Sequence, residues 1–384
     1  MANPLRLNRP VIAITGSAGK STTKEMVASI LSTRWRILKS VDNLNFINHT
    51  QQSRQKVRPE HRALVLEYGM SGAGHIKRHC QVIEPNYAII TNIGSAHIGA
   101  FGGDVRKLAR AKSELIRWMK PTGTVVLNND NANTRLIETG RFRGKRLTVG
   151  IENKADYRAE NVHYSSGGMT FDVKLRGKLQ HFRIPIMGRH HVYNALCAIA
   201  VTDALGFSAQ QMRIGLQRFR RMYRRTSIYR LKNNIFLIDD SFSSNPDAAK
   251  AALDTLMQVG KGEKYAVLGS MQALGKYSVA GHSAVGRHVA KRNISRLYTF
   301  GALAKTIGTA AVKAGYPKVR VLHFVDKAAL NRRLLNDLQS NTTVLVKASH
   351  GLHLMDTADL LRHRLSATNS KQRLNGKQSV KKKR

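Results

Sequence analysis

The sequence is poor in cysteine and in long apolar runs, and both absences narrow what the protein can be. Its 384 residues include only two cysteines, Cys80 and Cys197, far apart and in unlike contexts. This argues against a disulfide framework or a zinc site and fits a reducing compartment. No stretch approaches the ~20 continuous apolar residues of a membrane span. The first ten residues lack the apolar core of a secretory signal, so we predict a cytoplasmic protein without a transmembrane segment.

Acidic residues are also scarce. There are 23 Asp and Glu against 64 Lys and Arg, a formal charge of +41. Such an excess attracts polyanions, and contact with nucleic acid, an anionic membrane surface or an acidic polymer stays open. The basic residues are spread along the chain, with clusters at 218–225 and 381–384, and no nucleic-acid-binding module accompanies them. A simply solvated basic surface is the plainer interpretation.

The most informative stretch that is present lies at 11–23. An apolar run, Val11–Thr15, is followed by small residues and glycines, a Lys-Ser pair and an amphipathic segment. This order predicts a buried strand, a tight loop and a helix whose N-terminus cradles phosphate. Ile14 stands where the full P-loop pattern has its first glycine, so the motif is a shorter form. It predicts ATP binding through Gly16, Ser17, Ala18, Gly19, Lys20, Ser21 and Thr22.

Apolar strands alternate with helical segments through the first half of the chain. Strands are predicted at 36–40, 63–69, 87–94 and 124–127, and a helix at 104–119. The pattern is typical of a parallel sheet covered on both faces, which binds ligands at the carboxyl ends of its strands. Glu67 and His97 both stand at such ends, beside the expected phosphate loop.

The pattern changes twice further along. Residues 155–186 alternate as a β-rich excursion at the edge of the first domain, and new α/β elements follow the Arg-rich link at 218–225. We therefore predict an α/β fold with a P-loop parallel-sheet ATPase domain and a smaller, Rossmann-like second domain. The predicted units are a domain at 1–222, a domain at 223–366 and a basic, disordered tail at 367–384.

Several blocks, taken in order, resemble the Mur ligases, the ATP-dependent amide-forming ligases of peptidoglycan precursor synthesis. The resemblance extends over about residues 11–365 and is specific as a set, with the members that add D-alanyl-D-alanine the most similar. The blocks are the phosphate loop, Asn43-Leu44-Asn45, Leu66-Glu67-Tyr68-Gly69, 91–97, 111–115, 188–195, 238–246, 267–271 and 344–349.

The resemblance implies a chemistry and a set of residue roles. A substrate carboxylate attacks the γ-phosphate of ATP, and an amine then displaces phosphate from the acyl phosphate to form an amide. The implied catalytic residues are Lys20, His97, Lys112 and Arg225. The metal ligands for Mg²⁺ would be Ser21, Glu67, His97 and Lys112 as a CO₂-derived carbamate. Asn194 would contact adenine, Arg225 the γ-phosphate and Asp240 the ribose.

Some features depart from the family pattern and leave the substrate open. With ten residues before the first strand, we expect no N-terminal UDP-binding domain. Positions that face substrate differ from the usual residues at Phe46, His191, Ser243, Ser244, Ser270, Ala273 and His350. We predict a monomeric ligase that joins D-Ala-D-Ala or a related amino compound to a small-molecule carboxylate in cell-wall precursor metabolism. The alternatives are a ligase on a non-UDP acidic substrate such as polyglutamate, or a non-catalytic nucleotide-binding protein that docks on polyanions.

Overall fold

Two separate β-sheets organise the chain. The computed structural model describes residues 3–366, so the predicted tail at 367–384 lies outside the described residues. Within the described part, none of the helices is long and apolar enough to cross a membrane. Strands alternate with helices in both halves, apart from the consecutive strands at 124–184 and 227–239, which confirms the predicted α/β class.

The first sheet has nine strands in the order β2-β3-β1-β4-β5-β6-β7-β8-β9. Pairing is parallel from β2 to β7 and antiparallel between β7, β8 and β9, so the excursion predicted at 155–186 extends the same sheet. Its strands are β1 (Val11–Thr15), β2 (Ile37–Lys39), β3 (Ala63–Glu67), β4 (Tyr87–Ile90), β5 (Thr124–Asn128), β6 (Lys145–Gly150), β7 (Tyr157–Ser165), β8 (Gly168–Leu175) and β9 (Lys178–Ile184).

The second sheet has six strands in the order β10-β11-β15-β12-β13-β14. All its pairs are parallel except β10 with β11, which matches the predicted Rossmann-like arrangement apart from that edge strand. The strands are β10 (Ser227–Arg230), β11 (Phe236–Asp239), β12 (Glu263–Gly269), β13 (Arg296–Phe300), β14 (Val321–Phe324) and β15 (Thr342–Lys347).

Eleven α-helices cover the two sheets in the described part of the chain. Side-chain caps fix several starts: Asp104 accepts from two N–H groups of α4, and Asn245 caps α7 with Pro246 in its first turn. The helices are α1 (Lys20–Leu31), α2 (Ile47–Gln55), α3 (His75–Val82), α4 (Val105–Trp118), α5 (Arg189–Ala204), α6 (Ala209–Arg218), α7 (Pro246–Val259), α8 (Ser278–Ala290), α9 (Lys305–Lys313), α10 (Lys327–Asp337) and α11 (Met355–Arg364).

Strand β1 lies between β3 and β4 in the interior of the first sheet and is buried along its whole length. Its side chains alternate between two cores. Val11 and Ala13 pack with α3 and α4, while Ile12 and Ile14 pack with α1 and α5. A parallel sheet covered on both faces has to be apolar in this continuous way. The burial of β1 fixes the phosphate loop at one edge of the sheet.

Several elements differ from the sequence-based expectation. The segment expected to be a loop through Asn48 becomes helical at Ile47, and α3, β6, β10 and β14 were not predicted. The α2 segment is polar, and only Thr50 within it is buried. The segment therefore has no apolar periodicity from which a helix could be predicted.

Candidate active site

The phosphate loop is shaped by two glycines that have positive φ angles. Gly16 (φ 146°) packs so closely on Thr91 that a Cβ would collide with the Thr91 hydroxyl. Gly19 (φ 84°) is the residue before α1, and a Cβ there would collide with the side-chain amide of Asn194. A left-handed backbone without a Cβ is what glycine provides. The loop therefore needs glycine at both positions, for conformation and for space.

Residues that follow β4 hold the loop from behind. The N–H groups of Ser17 and Ala18 donate to Asn92 Oδ1 at 3.0 and 2.9 Å. The Thr91 hydroxyl donates to the carbonyl of Ala18 at 2.6 Å, and Gly94 N donates to Ser17 Oγ at 2.9 Å. These bonds leave the N-terminus of α1, with its unpaired first-turn N–H groups, pointed at the cavity.

Lys20 begins α1 and its ammonium folds back over the loop. Its Nζ donates to the carbonyl of Gly16 at 2.9 Å. Burial lowers the pKa of Lys20, the nearby carboxylate of Glu67 opposes that shift, and Arg225 adds to it. A cation held over a helix N-terminus is suited to bind the phosphates of a nucleotide.

Glu67 ends β3 and is buried, with 2% of its surface exposed. Asn45 Nδ2 donates to its Oε1 at 2.7 Å, whereas its Oε2 has no hydrogen-bond partner in the described residues. A buried carboxylate oxygen without a partner is costly unless a cation or water supplies one. The donor set therefore fits a hard cation such as Mg²⁺, which takes one or two carboxylates together with phosphate oxygens and water.

His97 and Lys112 carry strongly shifted pKa values beside this carboxylate. Desolvation, and then the ammonium groups of Lys20 and Lys112, lower the pKa of His97 to about 4. Lys112, 2% exposed on α4, has a pKa well below its ordinary value because of burial and then Lys20. No hydrogen bond or ion pair to Lys112 Nζ occurs within residues 3–366. The site thus contains a neutral imidazole and a buried amine without a counter-ion.

The second half of the chain supplies the opposite wall. Arg225 Nη2 lies 3.4 Å from Ser21 Oγ, and the Arg225 guanidinium lies 4.5 Å from the Phe242 ring centroid. Its Nε is buried and has no hydrogen-bond partner in the described residues. Burial lowers the pKa of Arg225, while Glu67 and Asp240 oppose that shift. The guanidinium therefore reaches the phosphate loop with capacity to bind an anion.

Asp240 follows β11 and is already engaged. Its Oδ1 accepts from Thr226 N at 3.0 Å, and its Oδ2 accepts from Lys347 Nζ at 2.6 Å. Lys347 also donates to the carbonyl of Ser243 at 2.9 Å. Asp240 thus ties the segment that leads into β10 to β15, and a ribose would have to bind the same two carboxylate oxygens.

Both halves of the chain line one cavity of ≈ 490 Å³. Ser270, predicted to face substrate, does not line it; of the residues predicted to bind ATP or metal or to act in catalysis, all except Gly16 and Lys112 do. The lining residues among them are Ser17, Ala18, Gly19, Lys20, Ser21, Thr22, Glu67, His97, Asn194, Arg225 and Asp240. The arrangement places N–H and ammonium donors suited to phosphate, a carboxylate oxygen without a partner in the described residues, and a guanidinium around one cavity.

Comparison with known proteins assigns the family. Residues 14–202 match the Mur ligase middle domain, and residues 224–350 match the Mur ligase glutamate ligase domain. A UDP-N-acetylmuramoyl-tripeptide–D-alanyl-D-alanine ligase of Bacillus subtilis (strain 168) is 32% identical over 94% of this chain and 78% of its own length. The chain belongs to the Mur ligase family.

Solved Mur ligase structures share the fold. The crystal structure I of MurF from Acinetobacter baumannii has a TM-score of 0.85 at 29% identity, covering 92% of this chain and 76% of that chain. Mur ligases are ATP-dependent enzymes that form carbon–nitrogen bonds, which confirms the predicted enzyme class. A folylpolyglutamate synthase of Mycobacterium tuberculosis has a TM-score of 0.68 at 16% identity over 92% of this chain and 91% of that chain. That likeness shows the fold alone.

Several residues that shape this Mur ligase site were not assigned a site role from the sequence. Asn45 orients Glu67, Asn92 holds the loop, and Lys347 pairs with Asp240. His191 Nδ1 accepts from Asn194 Nδ2 at 3.1 Å, and its Nε2 lies 3.4 Å from the Thr226 hydroxyl. A site role for Asn92 could have been predicted, because it follows the carboxyl end of an interior strand. Asn45 and Lys347 contact partners 22 and 107 positions away, so no local pattern indicated those contacts. His191 was predicted only as a position that faces substrate.

Proposed function

We propose that this Mur ligase joins a carboxylate to an amine through an acyl phosphate. A carboxylate oxygen attacks the γ-phosphorus of ATP, and the bond to the β,γ-bridging oxygen breaks to release ADP. The amine then attacks the acyl carbon and loses a proton, and inorganic phosphate leaves with that carboxylate oxygen. The observation that carries the proposal is the single cavity in which Lys20, Glu67 and Arg225 meet.

The protein's part in this reaction is charge and position. Lys20 and the N-terminus of α1 would hold the phosphates, and Arg225 would face the transferred group from the second domain. Asn194 would contact adenine and Asp240 the ribose. Ser21, Glu67 and His97 would hold Mg²⁺, which neutralises charge on the phosphate oxygens when bound. The free Oε2 of Glu67 supports this assignment.

We propose that Lys112 reacts with CO₂ to give a carbamate. Only the neutral amine adds to CO₂, with loss of a proton to solvent, and the lowered pKa of Lys112 increases the share of that neutral form. The product is an anion, which would relieve the repulsion between Lys112 and Lys20 and add a ligand for Mg²⁺. The absence of a hydrogen bond or ion pair to Lys112 Nζ within residues 3–366 supports this modification.

The substrates we propose are D-Ala-D-Ala, or a related amino compound, and a small-molecule carboxylate such as the UDP-N-acetylmuramoyl-tripeptide in the name of the Bacillus subtilis relative. The +41 charge keeps a second candidate open, an acidic polymer such as polyglutamate as carboxylate substrate. Salt distinguishes the two candidate carboxylate substrates. The rate with an acidic polymer should fall as salt is added, since long-range attraction between the protein and the polymer weakens.

We further propose a cytoplasmic monomer divided into domains at 1–222 and 223–366, whose basic surface contacts a polyanion or an anionic membrane. The support for the division is that the two sheets lie on either side of residue 222. Binding to anionic and neutral vesicles and to DNA over a salt series tests the surface, and a mass measurement in solution tests the monomer.

Amine-dependent phosphate release tests the function. Purified protein, ATP and Mg²⁺ are combined with a panel of UDP-linked and UDP-free carboxylates and with D-Ala-D-Ala, glutamate or other amines. We expect ADP, phosphate and an amide product in equal amounts for at least one pair, identified by mass. Binding of ATP with no phosphate release for any pair would instead support a non-catalytic nucleotide-binding protein.

A further inference from the structure

One buried lysine outside the candidate active site connects the phosphate-loop helix to the metal-facing carboxylate. Lys24 lies one turn after Lys20 on α1 and is fully buried. Its Nζ donates to the carbonyl of Ser40 at 2.8 Å and to the carbonyl of Asp42, and it pairs with Glu25 at 2.9 Å. Two of its three partners are thus backbone atoms of the segment that follows β2.

That segment, residues 40–45, holds Glu67 at two points. The hydroxyl of Ser40 accepts from Glu67 N at 3.0 Å, and Asn45 Nδ2 donates to Glu67 Oε1 at 2.7 Å. Gly69 N also donates to the carbonyl of Asn45 at 3.0 Å. Together these bonds fix the direction of the carboxylate and leave its Oε2 free.

The segment has few other contacts to hold it. One bond runs from Ser40 N to the carbonyl of Val65 at 3.0 Å, and a turn bond runs from Leu44 N to the carbonyl of Val41 at 2.9 Å. Val41, Asp42, Leu44 and Phe46 are exposed, and Asp42 has a positive φ of 41°. A left-handed backbone at a residue other than glycine persists only when its surroundings determine it. The carbonyl of Asp42 is bonded to Lys24, so the lysine stabilises this conformation.

We propose that Lys24 is a positioning residue that fixes residues 40–45 and so holds Glu67 with one oxygen free for the metal. The inference rests on the proposed function, because it takes Glu67 as a ligand of Mg²⁺. Removing the ammonium releases the segment, and Asn45 then no longer keeps Oε1 occupied and Oε2 directed into the cavity. Residues that orient metal ligands in this way influence metal affinity without contacting the metal.

Lys39 provides a matched control. It pairs with the other oxygen of Glu25, but its side chain is 41% exposed and it contacts neither carbonyl of the segment. Lys39→Met removes one charge from the same carboxylate and leaves the link from Lys24 to residues 40–45 in place. Glu25 keeps Lys24 as its buried partner in this variant, so the loss of the partly exposed Lys39 ammonium should have little effect.

The test measures Mn²⁺ binding to the full chain in the presence of ADP, by the electron paramagnetic resonance signal of free Mn²⁺. We expect Lys24→Met to weaken Mn²⁺ binding about 10- to 100-fold, Asn45→Ala to do the same, and Lys39→Met to match the wild type. Because Lys24 acts through Asn45, the variant that combines Lys24→Met and Asn45→Ala should bind Mn²⁺ no more weakly than the single variant with the lower affinity.

Two outcomes would overturn the inference. One is that Lys24→Met binds Mn²⁺ as tightly as the wild type; the other is that the decrease in Mn²⁺ affinity of the double variant equals the product of the two single-variant decreases. If Lys24→Met does not fold, Lys24→Gln, which keeps a polar tip near the same carbonyls, takes its place with a smaller expected loss. Wild-type protein that binds Mn²⁺ but releases no phosphate would overturn the proposed function and leave this inference standing.

Discussion

Arg225 Nη2 lies 3.4 Å from the hydroxyl of Ser21, so a residue that leads into the second sheet touches the first turn of the phosphate-loop helix. The two residues belong to different parts of the chain. Arg224 and Thr226, on either side of Arg225, both have positive φ, and Thr226 N is held by Asp240. The link is therefore shaped to present one guanidinium to the phosphate site, and the cavity is lined only when both halves of the chain contribute.

Arg225→Lys should lower kcat about 100- to 1000-fold while nucleotide affinity changes little, because the guanidinium stabilises charge mainly as phosphate is transferred. Phosphate release and ADP binding measure the two effects separately. Arg220→Lys is the control, since Arg220 lies exposed in the same basic link and should be neutral. Equal kcat values in the Arg225→Lys and Arg220→Lys variants would show that Arg225 has no role in phosphate transfer.

Gly19→Ala should destabilise the protein more than Gly74→Ala. Both glycines precede a helix with nearly the same backbone, φ 84° at Gly19 and φ 79° at Gly74. Each alanine costs about 1–2 kcal/mol for the left-handed conformation, but only Gly19→Ala also meets Asn194, whereas the space beside Gly74 is empty. That overlap adds about 1–3 kcal/mol. Urea unfolding measures both.

A second substitution separates the two costs at Gly19. In the Asn194→Ala background the obstructing amide is gone, so Gly19→Ala should then cost about the same as Gly74→Ala. If Gly19→Ala destabilises the Asn194→Ala variant as much as it destabilises the wild type, the contact with Asn194 is not a reason why position 19 requires glycine.

Lys112→Met should stabilise the protein in CO₂-free buffer while abolishing phosphate release. Burial lowers the pKa of Lys112, so between that lowered pKa and the ordinary 10.5 the unfolded chain binds more protons. Wild-type stability therefore rises with pH in this window. At pH 7 we expect the variant to be about 1–3 kcal/mol more stable, and the difference should shrink towards pH 10.5.

The exposed lysine on the same helix is the control for that measurement. Lys107→Met should leave the free energy of unfolding unchanged, because the Lys107 side chain is exposed to solvent. A pH-independent difference between Lys112→Met and the wild type would contradict the assignment of a buried amine with a lowered pKa.

His97 should titrate near pH 4, far below its ordinary value of 6.5. Its NMR signal can be assigned by its loss in His97→Gln. Lys20→Met removes one of the nearby ammonium groups and should raise the pKa of His97. Bicarbonate should also raise it in the wild type, but not in Lys112→Met, if a carbamate replaces the Lys112 cation. A His97 pKa near 6.5 in untreated wild-type protein would contradict the described electrostatics.

Local patterns were sufficient to predict most of the fold. Continuous apolar runs such as Val11–Thr15 and the glycines around Lys20 predicted the central strands and the phosphate loop, and Glu67 and His97 were found as residues at strand ends. The helix that begins at Ile47 was not predicted, because its polar residues carry no amphipathic period.

The missed parts of the site depend on contacts between distant residues. Lys24 and Ser40, Asn45 and Glu67, and Asp240 and Lys347 are each separated by 16 or more positions. A lysine on a helix is ordinarily solvated, so nothing local indicated that Lys24 is buried. Such roles appear only when the fold brings the partners together.

An oxygen-transfer experiment tests the central claim most directly. The acceptor carboxylate that supports turnover is labelled with ¹⁸O, and the inorganic phosphate released in the complete reaction with ATP and amine is analysed by mass. An acyl-phosphate mechanism transfers one carboxylate oxygen to phosphate, so we predict one ¹⁸O atom in each phosphate and one in the amide. Unlabelled phosphate, with both labels retained in the carboxylate, would contradict the account.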